Sequence, residues 1–446
     1  MMKPLTLTSL LEASPAAIIY GERRLSSAEL DLESRRIARG LSELGVRAGD
    51  RVGLWMPNTP AWLAALFACA RLGAIGFAIN TRFRASEVAD VLHRADIRTV
   101  LFWPSFRQTG FDKILADVPP EALTSLKHFV AYGEDGMPHA PRLLGRPVIP
   151  YSDLNDCSPL DGNHASPDAP CVIFTTSGTT RLPKFVVHSQ ETLATHSDDI
   201  AGAFGMKEPG AAVLLTIPLC GTFGLSHALG GLAGGGRVIL TPAFDAHEAG
   251  KLIVRHGVTH IPAVTDVVAR LLATSAAEKP FPSVRIIVGA RTGQAAPADA
   301  RGLRLIGVYG SSELQAMLSR QPSDASAEQR ELGGGRLIAP EGRVRAAHPD
   351  TGEPLPHGTS GELQFRVPSR MPGYYGNPDA TAEALTADGY FRSGDLGYTV
   401  DERTFVFQSR MGDAIRLGGF LVNPLEIESI IDRHPAVLAS QVVGVE

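Results

Sequence analysis

Cysteine is scarce in this chain of 446 residues: Cys69, Cys157, Cys171 and Cys220 stand far apart and form no C-x-x-C pair. That spacing argues against a disulfide framework and a cysteine zinc site, and it favours a reducing cytoplasm. No block of lysine and arginine occurs, and the net charge is −5, which argues against a nucleic-acid partner. The opening residues, MMKPLTLTSLLEASP, lack the long apolar core of a secretory signal. One hydrophobic run is long: Ala61–Ile79 holds 19 residues with a single charge, Arg71. Its length would suffice to span a membrane. Gly73 and Gly76 interrupt it, however, and Ala74–Ile79 reads as a buried strand after a helix, so the run is taken as core. Internal repeats and low-complexity tracts are missing too.

What is present describes an ordinary globular protein, 44% hydrophobic and 20% charged, long enough for two or three domains. Residues 18 to 160 alternate helical and strand patterns. Ser26 and Glu29 are spaced as a capping box ahead of Leu30, Ile37, Leu41 and Leu44, with Gly45 as the stop. Strands are expected over 50–56 and 99–102, with a helix over 86–95 between them. After a stretch rich in Gly, Pro and Asp at 132–170, the alternation resumes to about 320, with strands at 212–217, 237–240, 284–288 and 305–308. Such alternation implies a mostly parallel sheet. From about 331 the strands shorten and glycine and proline become frequent, which implies a small β-barrel or a distorted sheet.

Four motifs carry chemistry. In Thr175–Lys184, TTSGTTRLPK, the hydroxyls of Thr176, Ser177, Thr179 and Thr180 flank Gly178, and Lys184 follows. Hydroxyl and backbone donors with one cation suit polyphosphate oxygens. A Walker loop needs a second glycine directly before the lysine and Ser or Thr after it; here Pro183 precedes Lys184 and Phe185 follows. A plain Ser/Thr-rich turn is the alternative. In Tyr309-Gly310-Ser311-Ser312-Glu313, the ring can stack on a base, the serines can bond phosphate and the carboxylate can hold a metal. The alternative is a polar turn with Glu in the first turn of a helix. In 388–395, DGYFRSGD, Asp395 on a glycine turn suits two ribose hydroxyls, although most Gly-Asp pairs are only turns. In 409–428, Asn423 and Pro424 form a helix start.

Together, in this order and at these separations over residues 171–428, the motifs resemble those of the adenylate-forming superfamily, which holds acyl-CoA synthetases, adenylation domains and luciferases. The resemblance implies an α/β fold. A large N-terminal domain, 1–408, would comprise two mixed α/β subdomains, about 1–165 and 166–330, and a β-barrel-like one, 331–408. An incomplete α+β C-terminal domain would begin at 409. It implies that Thr179, Lys184 and the hydroxyl loop hold ATP phosphates and that Gly289 and Ala290 lie beneath adenine. Tyr309 would contact adenine, with Gly310 and Ser311 beside it. Ser312 would bond the AMP phosphate and Glu313 would hold Mg2+. Asp395 and Arg410 would grip the ribose. Gly412 falls on the hinge, normally Asp or Lys, and Gly418-Gly419 on the loop lining the pantetheine tunnel of coenzyme A. Arg181 and Phe185 replace the family's usual glycines.

The acyl pocket of the family comes from the segment matching 218–236, here with Cys220, Gly221, Phe223 and Gly224, and also Gly310. No acidic side chain occurs in it, and a buried ammonium group needs a partner. An apolar aliphatic or aryl acid is therefore expected rather than an amino acid, and His227 reads as a satisfied structural histidine. The implied reaction is acid activation by ATP with Mg2+, then thioester formation to coenzyme A. A carrier-protein phosphopantetheine is the second acceptor, and a nucleotide-binding protein without catalysis is the third reading. The family's late lysine has no counterpart: Glu446 lies 34 residues past Gly412, and the last lysine is Lys279. Adenylation slowed by ~10²–10³ is the expectation from one missing donor, with Arg181 the first candidate to replace it.

Overall fold

The computed structural model describes residues 5–107, 109–134, 141–176, 183–264, 266–289, 293–412, 415–417, 420–422, 424–432, 434, 436–437 and 439–443. Its framework is three sheets. The first has nine strands in the order Gly373–Tyr374, Phe185–Ser189, Pro170–Thr175, Ile75–Ala78, Arg51–Trp55, Thr99–Phe102, His128–Ala131, Arg146–Pro150, Arg142–Leu143. Six of these, from Pro170–Thr175 to Arg146–Pro150, run parallel. The second sheet has seven strands in the order Leu305–Ile306, Ile286–Val288, His260–Pro262, Ala212–Leu215, Arg237–Leu240, Ala17–Tyr20, Arg23–Ser26. The third is seven-stranded and antiparallel: Val308–Ser311, Gln315–Arg320, Gly334–Leu337, Thr404–Arg410, Phe391–Thr399, Gly361–Arg366, Arg343–Ala347. Register shifts at three of its pairings make it the distorted sheet of the two forms expected.

Strand pairing crosses the chain positions 165/166 and 330/331. The N-terminal hairpin at 17–26 completes the second sheet, the strands at 170–189 complete the first, and the third sheet begins at Val308. The stretch 305–308, read as one strand, is two. The chain leaves the parallel sheet at Ile306 and enters the antiparallel sheet at Val308. Gly307 makes the switch possible, since a Cβ there would stand 2.3 Å from Arg330 O.

The long apolar run resolves into a helix and a strand. Thr59 caps Pro60–Leu72 by accepting from Trp62 N, Pro60 sits in the first turn, and left-handed Gly73 (φ 68°) ends it. All thirteen helix residues are buried, and Ile75–Ala78 follows as a strand. Arg71 is kept in this core by Asp31 at 2.5 Å and Glu12 at 3.4 Å. Among the described residues no helix is long and apolar enough to cross a membrane. The capping box of Ser26 and Glu29 opens the helix Ser27–Glu43.

The carboxyl ends of the two parallel sheets face each other. Asn58, just past Arg51–Trp55, donates to Ile217 O at 2.9 Å and accepts from Leu219 N at 2.7 Å, just past Ala212–Leu215. Ligands in α/β proteins bind at such edges.

Candidate nucleotide and acyl site

The hydroxyl-rich stretch falls between two paired strands. Strands Pro170–Thr175 and Phe185–Ser189 pair antiparallel, with Thr175 opposite Phe185. Thr176 closes the neck: its N–H donates to Lys184 O at 3.0 Å and its Oγ1 accepts from Lys184 N at 3.2 Å. Ser177, Gly178, Thr179, Thr180 and Arg181 lie outside the described residues, as does Ala290. Phe185, where the family has glycine, is a core position: it meets Phe77 edge-on at 5.0 Å and carries the Arg94 guanidinium 4.0 Å above its ring. Arg94 also donates to Pro183 O at 2.8 Å, which fixes the loop's exit.

Tyr309 and Asp395 arrive on different strands of the third sheet. The Tyr309 ring is 7% exposed, stacked on Phe365 at 5.3 Å and flanked by Phe405 and Phe407. It is thus a packed ring rather than an open platform, and its hydroxyl donates to Asp395 Oδ2. Asp395 is 2% exposed. Burial pushes its carboxyl up to about 6, against the pull of Arg410 and of the Tyr309 hydroxyl. Its Oδ1 lies 3.1 Å from Arg410 Nη1, yet that nitrogen's hydrogen bond goes to Ser393 O at 3.3 Å. Among the described residues, Oδ1 is therefore a buried acceptor beside a cation with no hydrogen bond of its own.

Ser312 and Glu313 sit in the turn between strands Val308–Ser311 and Gln315–Arg320, not in a helix. Gly310 is needed for that hairpin, because a Cβ would stand 2.6 Å from Gln315 O. Two buried histidines hold the hairpin: His188 Nε2 donates to Ser312 O and His196 Nε2 to Ala316 O, each at 2.7 Å. Burial pushes both rings down to about 4, so they are neutral donors at pH 7. The half-buried Glu313 accepts from Tyr374 OH at 2.9 Å, and Lys184 Nζ lies 4.8 Å above the centre of the same ring. Gly289, at the end of Ile286–Val288, donates to Ile306 O at 3.0 Å.

The expected acyl segment forms a helix, Thr222–Ala233, with Gly221 as its N-cap, packed on Gln315–Arg320. Gly224 is forced by close approach: a Cβ would lie 2.0 Å from Pro218 O. Phe223 meets His227 edge-on at 4.7 Å. His227, read as a satisfied core histidine, is satisfied at one nitrogen. Nδ1 donates to Phe223 O at 2.9 Å, whereas buried Nε2 has no partner among the described residues. Burial pushes this ring down to about 3. Cys220 is a free thiol, raised by burial.

Past Arg410, Gly412 is exposed, and a Cβ there would meet nothing within 4 Å. The strands Ile415–Leu417 and Phe420–Val422 pair antiparallel; Gly418, Gly419 and Asn423 lie outside the described residues. The helix Pro424–Ile431 follows. Three residues escaped notice in the sequence as contributors: Asn58, His188 and Tyr374.

The model of the AMP-binding enzyme family matches residues 12–375. Over 442 residues the chain is 29% identical to the sulfoacetate–CoA ligase of Cupriavidus necator, covering 94% of this chain and 80% of that one. It is 31% identical over 451 residues to the fatty acid–[acyl-carrier-protein] ligase ScoC of Streptomyces coeruleorubidus, covering 97% and 81%. Its fold matches ATP-bound MatB from Rhodopseudomonas palustris with a TM-score of 0.82 at 26% identity, covering 100% of this chain and 86% of that one. By family model, relatives and fold, the chain belongs to the acyl-CoA synthetase family of the adenylate-forming superfamily.

Proposed function

We propose that the chain is an AMP-forming acid–thiol ligase that activates an apolar aliphatic or aryl carboxylic acid with ATP and delivers the acyl group to coenzyme A. The observation that carries this reading is Asp395 Oδ1, a buried acceptor beside Arg410 with no hydrogen bond among the described residues. Ribose hydroxyls are the donors such a pair is built to receive. Tyr309 then holds Asp395 in place, and its ring bounds the adenine end with Gly289. Ser312, the hydroxyls of Thr176, Ser177, Thr179 and Thr180, and Lys184 bind phosphate oxygens.

Magnesium fits the residues present. No cluster of three or more His, Cys, Asp or Glu able to hold a metal occurs among the described residues, and among them the Glu313 carboxylate accepts a bond at Oε1 alone. Mg2+ is commonly held by one or two carboxylates together with substrate phosphates. When bound it would neutralise charge on the phosphates. In the first half-reaction an acid carboxylate oxygen bonds to the α-phosphorus as the bond to the pyrophosphate oxygen breaks. Lys184 and the loop donors stabilise the charge that moves outward. In the second, a thiolate sulfur bonds to the acyl carbon and AMP leaves. Gly412 serves as the hinge between the two, and Gly418-Gly419 line the thiol's approach.

The absence of acidic side chains in 218–236 supports an acid without an α-ammonium group. Cys220 and Gly221 leave the pocket neutral and roomy. The likeness to ScoC favours a carrier-protein phosphopantetheine as the second candidate acceptor. The test is pyrophosphate release over a panel of acids, with coenzyme A, with a phosphopantetheinylated carrier, and with neither. Release with apolar acids and thioester formation on coenzyme A is expected. An amino acid as best substrate would overturn the acid assignment. AMP binding without pyrophosphate release from any acid would leave a nucleotide-binding protein.

A further inference from the structure

We infer that Tyr374 is a positioning residue that sets the register between the metal-binding carboxylate Glu313 and the phosphate-binding hairpin that carries Lys184. The inference rests on the roles proposed above for those two residues. Its basis is a five-residue bracket, Met371–Tyr375, that touches both. Met371 N donates to Glu313 O at 2.7 Å, so the bracket holds the backbone of the Glu313 turn. Tyr374 OH donates to Glu313 Oε1 at 2.9 Å and so holds the side chain. On its other side, the strand Gly373–Tyr374 pairs with Val187 and Val186, and Tyr375 N donates to Phe185 O at 2.8 Å. Lys184, next along, places its ammonium over the Tyr374 ring. Thr381 Oγ1 accepts from Tyr374 N at 2.9 Å, which fixes the tyrosine from behind.

Tyr374 is 8% exposed, and its hydroxyl donates to Glu313 Oε1. A donor committed to Oε1 leaves Oε2 as the ligating oxygen and removes the carboxylate's freedom to rotate. Carboxylates that ligate metals are held in this way, and loss of such a support commonly weakens metal binding about 10–100-fold. The ring acts separately on the lysine, since a cation over an aromatic face is held in place without an opposite charge that phosphate would have to displace.

Tyr374→Phe separates the two, since it keeps the ring over Lys184 and deletes the bond to Glu313. Two quantities are read: Mn2+ affinity of the full chain with ATP, from the electron paramagnetic resonance of free Mn2+, and AMP affinity in metal-free buffer by calorimetry. Mn2+ binding is expected to weaken about tenfold, with metal-free AMP affinity unchanged. In a Glu313→Gln background the same substitution should change Mn2+ binding no further, as a shared pathway requires. If Tyr374→Phe does not fold, Thr381→Val, which releases the Tyr374 amide, should shift Mn2+ affinity in the same direction. Unchanged or tighter Mn2+ binding would overturn the inference, and so would parallel loss of Mn2+ and AMP affinity. A wild-type chain that binds AMP but no Mn2+ with ATP would instead remove the metal assignment of Glu313, and this inference with it.

Discussion

Asp395 keeps its proton into a pH range where an ordinary aspartate is fully ionised, because burial outweighs both Arg410 and the Tyr309 hydroxyl. Its folded value, about 6, lies above the unfolded one, so the folded chain holds this proton more tightly. The group therefore costs stability above pH 6, on the order of 3 kcal/mol, and that cost fades as pH falls to about 4. Ligand binding has the opposite sense, since the ionised carboxylate is the better acceptor for ribose hydroxyls. Adenosine, which has no phosphate to titrate, should bind about tenfold more weakly at pH 5 than at pH 7.5. Calorimetry across that range checks it, and Asp395→Asn should flatten the profile. Tyr309→Phe removes a bond that pulls the carboxyl down. The midpoint of the adenosine profile should then move to higher pH; a shift to lower pH would mean that Tyr309 does not donate to Asp395.

Elements place these residues through contacts that no local pattern records. The strands Thr99–Phe102 and Arg237–Leu240 fall where the β-branched and apolar runs put them. The stretch 305–308 was legible as extended chain, but not as a crossing between sheets, because what forces Gly307 is the carbonyl of Arg330, distant in sequence. The motif residues were likewise legible as chemistry, whereas their supports were not. His188 reaches Ser312 across 124 positions and Tyr374 reaches Glu313 across 61, distances set by sheet register rather than by spacing. His188→Leu should leave the half-buried Ser312 carbonyl unpaired and lower stability by about 1–3 kcal/mol. Denaturant unfolding measures that loss, and an unchanged midpoint would show that the hairpin does not depend on this bond. Two glycines, at 224 and 412, separate in the same experiment. Gly224→Ala drives a Cβ against backbone at Pro218 and should lose about 1–3 kcal/mol. Gly412→Ala meets open space and should stay within about 0.5 kcal/mol.

Across the whole molecule, buried polar side chains tie the three sheets together. Asn58 ties the first sheet to the second, and His188 and His196 tie the long hairpin of the third sheet to the strand and helix around 185–203. Such ties are strong only while their groups stay neutral and paired. The three histidines pushed down to about 4, 4 and 3 (His188, His196 and His227) take up protons readily once the chain unfolds. A histidine whose folded value is lowered supports the fold above its unfolded value, and that support is lost as pH falls towards the folded value. Asp395 works the other way between about 4 and 6. Near pH 5 the three histidines outweigh the one aspartate, leaving roughly two more protons on the unfolded chain from these four groups. Stability should therefore fall steeply as pH drops from 6.5 towards 4, with a slope on the order of 3 kcal/mol per pH unit. Urea midpoints taken at closely spaced pH values give that slope directly. His196→Gln, which keeps a donor for Ala316 O but cannot titrate, should reduce it by about one proton. An unaltered slope in that variant would mean that His196 is not held neutral by the fold, and that the acid lability lies elsewhere.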